Sequence, residues 1–119
     1  MKSVILLSAL LLMLSSCHRH RHYNTSISIS ESSNVFQLNA SFNPSKTRKL
    51  QDYIDSHLES NVSFVNTEMD AVVTLDDETR FYMRSYPGFV RIRFNKKENS
   101  EESYEKIRGL CEGIKEVVH

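Results

Sequence analysis

The 119-residue chain contains no tryptophan, two cysteines, two prolines and three glycines, and its fifteen Lys plus Arg are matched by fifteen Asp plus Glu. Each scarcity excludes something. Two cysteines, Cys17 and Cys111, are far too few for a disulfide scaffold. Balanced charge leaves no electrostatic footprint for nucleic acid. The chain carries no phosphate loop, no dinucleotide fingerprint and no zinc-protease motif. Its longest early apolar run, Val4 to Leu14, is eleven residues. At 1.5 Å rise it covers about 16 Å, roughly half the hydrocarbon core, so it is no ordinary transmembrane helix. With 39% apolar and 25% charged residues the rest is compatible with one globular domain.

What is present begins with an address. Lys2, the apolar run and the small residues behind it describe a secretory signal peptide. The segment Leu14-Ser15-Ser16-Cys17 then resembles the lipobox of bacterial lipoproteins, a resemblance that covers 17 residues. It implies removal of residues 1–16 and a diacylglycerol on the Cys17 thiol, with further acylation of the new amino group. Each buried CH₂ contributes about 0.8 kcal/mol, so two or three acyl chains anchor stably where one does not. The same resemblance implies a cell-envelope location. In a cell with two membranes, His18 in place of Asp after the cysteine points to the outer one. An ordinary cleaved signal is the alternative. Under that reading the triplets Asn24-Thr25-Ser26, Asn39-Ala40-Ser41 and Asn61-Val62-Ser63 match the N-glycosylation pattern, and Cys17 and Cys111 are available to pair.

Residues 17–33 are polar and read as a lipidated tether, with Ile27 and Ile29 its only aliphatic residues. The alternation Ser26-Ile27-Ser28-Ile29-Ser30 leaves an extra edge strand as an alternative. His18, His20 and His22 alternate with Arg19 and Arg21. Imidazoles at this spacing offer a weak metal site, but no carboxylate or second cysteine stands beside them to complete a shell. The favoured reading is a basic collar, in which each Arg gains about 1 kcal/mol near anionic headgroups.

The domain is expected over 34–119. Val35 to Phe42 alternates, with Phe36, Leu38, Ala40 and Phe42 on one face and Gln37, Asn39 and Ser41 on the other. Asn43-Pro44 caps a helix that sets Leu50, Tyr53, Ile54, His57 and Leu58 on one side and ends near Glu59. A short extended piece is expected near Val62 to Val65. Strands follow over Met69–Leu75, Thr79–Ser85 and Val90–Asn95, joined by turns at Asp76-Asp77-Glu78 and Tyr86-Pro87-Gly88-Phe89. Asn99 and Glu102 suggest a capping box for a last helix whose apolar face carries Tyr104, Ile107, Cys111, Ile114 and Val118. Gly109 and Gly113 weaken that helix and suggest close packing on the sheet. The order β-α-β-β-β-α predicts an α+β two-layer sandwich, a mostly antiparallel sheet with two helices on one face.

Register decides what the other face shows, because a one-residue slip turns every side chain over. If Ser85 faces Val90 across the 86–89 turn, Arg84 stands opposite Arg91, Tyr82 opposite Arg93 and Arg80 opposite Asn95 outside. A three-residue turn pairs Leu75 with Thr79, which sets Asp70 opposite Arg84, Val72 opposite Tyr82 and Thr74 opposite Arg80. The expected binding residues are therefore Arg80, Tyr82, Arg84, Arg91 and Arg93: guanidinium forks for anions and a flat ring for stacking. The facing Arg84 and Arg91 repel, and Asp70 beside Arg84 is expected to offset part of that. The competing reading is a solvated sheet face whose long Arg stems shield the backbone.

Other chemistry is thinly supported. Cys111 reads as a small buried hydrophobe, and a Cys111–His57 dyad has no orienting group or Gly-rich oxyanion loop in the sequence. Asp76-Asp77-Glu78 lacks the ligand spacing of a calcium loop. The sequence thus predicts a lipid-anchored, non-enzymatic envelope module without cofactor or bound metal, binding an anionic protein, glycan or cell-wall partner. The alternative is a small envelope enzyme or metal-handling protein using His57 and Cys111, or His18, His20 and His22.

Overall fold

The computed structural model describes residues 24–58 and 68–119. Cys17, the histidine collar and the extended piece expected near Val62 to Val65 lie outside the described residues. Five strands form one antiparallel sheet: β1 (Ser26–Glu31), β2 (Val35–Ser41), β3 (Met69–Thr74), β4 (Arg80–Tyr86) and β5 (Phe89–Asn95). Two helices, α1 (Thr47–Leu58) and α2 (Glu101–Val118), complete the α+β fold. From β2 onward the order is β-α-β-β-β-α, as the periodicity predicts. In space the strands run β1-β2-β5-β4-β3.

One strand lies ahead of the expected domain boundary at residue 34. Ser26–Glu31 pairs with β2 from Ser26–Ser41 to Glu31–Phe36, so part of the segment read as tether is the sheet's edge. The Ser-Ile alternation explains this: Ile27 packs against the core while the serines face solvent.

Alternation builds the core. Phe36, Leu38, Ala40, Val73, Phe81, Met83, Val90, Ile92 and Phe94 are buried on one sheet face. Against them pack Leu50, Ile54 and Leu58 of α1 and Ile107, Leu110, Cys111, Ile114 and Val118 of α2. The α1 stripe departs from expectation at two positions, Gln51 and His57. Leu50, Gln51, Ile54 and Leu58 are buried, whereas His57 is exposed and lies over the half-buried Tyr53 ring, centroids 5.4 Å apart. Position 57 falls just outside the apolar stripe, where Tyr53 already occupies the boundary.

The junctions follow local chemistry. Asn43 accepts from the Ser45 amide at 3.0 Å and caps a 3₁₀ turn, Pro44–Lys46, before α1 begins. The Asp76–Glu78 turn has the Leu75 amide on the Thr79 carbonyl at 2.8 Å, with Glu78 left-handed at φ 69°. That geometry is the three-residue hairpin with a bulge. Pro87-Gly88, with Gly88 at φ 83°, closes β4 onto β5. The Gly88 carbonyl accepts from the Phe42 amide and its amide donates to Thr47 Oγ1, both at 2.9 Å, so the tip is tied to the start of α1.

Ser100, rather than Asn99, is the N-cap of α2, accepting from the Ser103 amide at 3.1 Å. Asn99 instead bridges to β4, accepting from the Arg80 amide at 2.8 Å and donating to the Arg80 carbonyl at 2.9 Å. Buried Thr79 and Ser103 hydroxyls meet at 2.7 Å and fasten the same end of α2 to the sheet. The two glycines of α2 differ. Gly109 has nothing within 4 Å of a built Cβ, whereas one at Gly113 would lie 1.7 Å from Tyr53 Oη. Gly113 therefore receives the neighbouring helix, not the sheet.

Candidate functional site on the bare face of the sheet

Both helices cover one side of the sheet, so among the described residues the other side is formed by β1 to β5 alone. Its composition follows from the registers. Arg84 stands opposite Arg91 and Tyr82 opposite Arg93 between β4 and β5. Asp70 stands opposite Arg84, Val72 opposite Tyr82 and Thr74 opposite Arg80 between β3 and β4. The pairs expected with β3 are all present, as are Arg84–Arg91 and Tyr82–Arg93 with β5. The pairing expected of Arg80 with Asn95 is not, because the β4–β5 ladder begins at Tyr82–Arg93. The structure thus brings Arg80, Tyr82, Arg84, Arg91 and Arg93 onto one surface.

The β2 register extends that surface. Asn39 faces Arg91 and Gln37 faces Arg93, while Ser28 and Ser30 continue the two rows onto β1. Asn39 Oδ1 accepts from Arg91 Nε at 2.6 Å and from Gln37 Nε2 at 3.4 Å. An amide oxygen holds the Arg91 guanidinium in place without neutralising it. Among the described residues, no carboxylate lies within ion-pair distance of Arg80, Arg84, Arg91 or Arg93.

Asp70, expected to offset part of the Arg84–Arg91 repulsion, stands opposite Arg84 but makes no ion pair with it. It accepts instead from the Tyr82 hydroxyl, its diagonal neighbour. That hydrogen bond raises the Tyr82 pKa above the ordinary phenol value. A tyrosyl O–H reaches a carboxylate two positions along, and Arg84 turns elsewhere: its guanidinium lies 5.7 Å from the centre of the Tyr86 ring. Arg91 makes the matching contact with Phe89 at 5.4 Å. Tyr86 and Phe89 themselves stack at 4.8 Å and 14°. This aromatic pair was missed in the sequence because 86–89 was read only as a turn. The available signal was the two-residue tip, which sets its flanking residues opposite each other.

An open depression of about 260 Å³ lies at the other end of the face, lined by Val72, Arg80, Tyr82, Arg93, Asn95 and Glu98. Val72, 53% exposed, gives it an apolar wall. The surface therefore offers guanidinium forks, a phenol and a stacked aromatic pair: groups that bind carboxylates, phosphates or sugar rings.

The thiol and imidazole considered for catalysis are placed differently. Cys111 is free and fully buried, and burial pushes its pKa up to about 12, so it stays protonated at neutral pH. His57 is exposed, and no hydrogen bond joins it to Cys111 among the described residues. Among those residues, too, no three His, Cys, Asp or Glu side chains are grouped to hold a metal, and no helix is long and apolar enough to cross a membrane. No protein-family model, no curated protein and no solved structure matches this chain.

Proposed function

We propose that the chain is a lipid-anchored, non-enzymatic protein of the cell envelope that binds an anionic partner, a protein, glycan or cell-wall component, through the bare face of its sheet. The observation that carries this reading is the Arg84–Arg91 pair. Two guanidiniums stand directly opposite on neighbouring strands, and among the described residues no carboxylate lies within ion-pair distance of either. Like charges so placed cost up to about 1 kcal/mol. An anion bridging them offsets that cost and accepts two charge-assisted hydrogen bonds. Cys17 supplies the anchor, and the sequence from Leu14 to Cys17 supports its lipidation.

The double substitution Arg84→Ala with Arg91→Ala tests the surface. Both side chains leave the core untouched, so the variant is expected to fold and to gain up to about 1 kcal/mol from lost repulsion. Envelope partners captured by the wild type are expected to release in salt, because exposed charge contacts are screened over about 8 Å at physiological ionic strength. Capture that survives both the double substitution and high salt refutes the reading. Intact-mass measurement of the membrane-extracted protein tests the anchor separately: a diacylated or triacylated Cys17 is expected at the N-terminus.

A further inference from the structure

The anchor and the basic face are not independent. The chain enters the sheet at Ser26, and the cross-strand row that starts there runs Ser26–Ser41–Phe89–Tyr86. The end of the sheet closest to the lipid is therefore the end that carries the stacked aromatic pair. The eight residues from Cys17 to Asn24 span seven Cα steps and reach at most about 25 Å. That span holds Arg19 and Arg21, and it keeps this end of the domain close to the bilayer.

From this placement we infer that the bare sheet face docks on the phosphate-bearing headgroups of the membrane that holds the anchor, tilted with its Tyr86–Phe89 end down. The inference rests on the lipid-anchor reading and names the anionic partner of the face. Three features fit a headgroup surface. Tyr86, 40% exposed beside the Pro87-Gly88 tip, is an amphipathic ring of the kind that settles at the membrane–water interface. Arg84 and Arg91 lie over the two rings, so aromatic and cationic groups meet one plane together. Charge is also polarised along the strands. The opposite end carries Glu31, Asp76, Asp77, Glu78, Glu98, Glu101 and Glu102 against Arg80, Lys96, Lys97 and Lys106. An anionic surface repels that end and attracts the other. Among the described residues, the carboxylates on the bare face itself are Glu98 at the far end, and Glu68 and Asp70 of β3 and its approach. Glu68 and Asp70 sit at the edge strand at the Tyr86 end, beside Arg84 and Tyr86, with Asp70 engaged by the Tyr82 hydroxyl.

The absence of tryptophan allows a clean probe. Full-length lipidated protein carrying Tyr86→Trp is reconstituted in phosphatidylcholine vesicles with 30% phosphatidylglycerol, using brominated acyl chains as quencher. A Glu102→Trp protein reports on the far end. Trp at position 86 is expected to be quenched and Trp at position 102 not. Quenching at 86 should fall in vesicles without phosphatidylglycerol and in 0.5 M salt. Each arginine near an anionic surface is worth about fivefold in the docked-to-free ratio, so Arg84→Gln with Arg91→Gln should lower it about thirtyfold. Circular dichroism of this variant confirms that the fold is kept.

Protein that floats with the vesicles but shows equal quenching at 86 and 102 overturns the docking and leaves the anchor standing. In whole envelopes, shielding of Trp at position 86 from iodide without quenching by brominated lipid places a protein or glycan on the face. That outcome overturns the inference and keeps the proposed function. A free Cys17 thiol on protein that stays in solution overturns anchor and docking together.

Discussion

Replacing Gly113 by Ala sets two effects of opposite sign against each other, and their difference tests how the two helices meet. In a helix interior Ala is favoured over Gly by about 1 kcal/mol. At Gly109, where a Cβ meets nothing within 4 Å, that gain is expected in full. At Gly113 the new methyl lies 1.7 Å from Tyr53 Oη and 2.3 Å from its Cζ, so the ring must swing out. Tyr53 is half-buried, packs against the core and lies over His57. Full burial of a large side chain is worth about 1.5–3 kcal/mol, so displacing this ring costs about 2 kcal/mol. The net expectation for Gly113→Ala is destabilisation by about 1 kcal/mol, a fall in Tm of roughly 4–8 °C for a domain of this size. Tyr53→Ala removes the obstacle. In that background Gly113→Ala should stabilise by about 1 kcal/mol, giving a coupling energy of about 2 kcal/mol. Urea unfolding followed by far-ultraviolet circular dichroism, with unchanged m-values, measures all four corners of the cycle. If Gly113→Ala stabilises as much as Gly109→Ala while Tyr53 is present, the packing described for α1 on α2 is wrong.

Gly88→Ala combines a left-handed φ of 83° with a Cβ 3.0 Å from the Phe42 carbonyl oxygen and 3.1 Å from Pro44 Cγ; a loss of about 2 kcal/mol is expected by denaturant titration. Cys111, its thiol raised to about 12 by burial, should resist iodoacetamide in native protein and react at once in denaturant, as followed by mass spectrometry; prompt native labelling contradicts its placement. Asp77 is lowered from 3.8 to about 2, first by the Lys106 ammonium at 2.9 Å and then by Thr79. A depressed carboxylate stabilises the fold above its unfolded pKa, and the contribution fades as pH falls from about 4 toward 2. Because this pair is solvent-exposed, Asp77→Asn should cost less than about 1 kcal/mol at pH 7 and a smaller amount at pH 2, where Asp77 is partly protonated in the folded protein, a difference read from paired urea titrations.

Alternation made the sheet legible. Strands whose one face is buried cannot slip, so the pairing of Arg84 with Arg91 and Tyr82 with Arg93 was readable from the turn lengths and the apolar set alone. Contacts between side chains on the solvent side were not, since nothing buried constrains them. Asp70 chose Tyr82 over Arg84 for that reason. β1 was ambiguous because an edge strand with only two apolar residues, Ile27 and Ile29, carries the weakest pattern. His57 was misplaced by a different route. Helical spacing marks a stripe but not its width, and the stripe narrows where Tyr53 crosses to Gly113. Asn99 was read as a cap because its side chain suits one; its bonds to Arg80 required knowing that β4 begins beside α2.

The strand order has a consequence for how the chain can acquire its structure. β5 lies between β2 and β4, with Val35 paired to Asn95, so the sheet is joined through the strand that emerges last. Before β5 is released, a growing chain holds two separate hairpins, β1 with β2 and β3 with β4. Two-stranded pieces of this kind are barely stable in water. The apolar cover then waits for α2, which carries Ile107, Leu110, Ile114 and Val118. Nothing early in the sequence can lock, so a chain moving end-first through a narrow channel stays threadable until almost all of it has passed, and then folds in a single event governed by contacts distant in sequence.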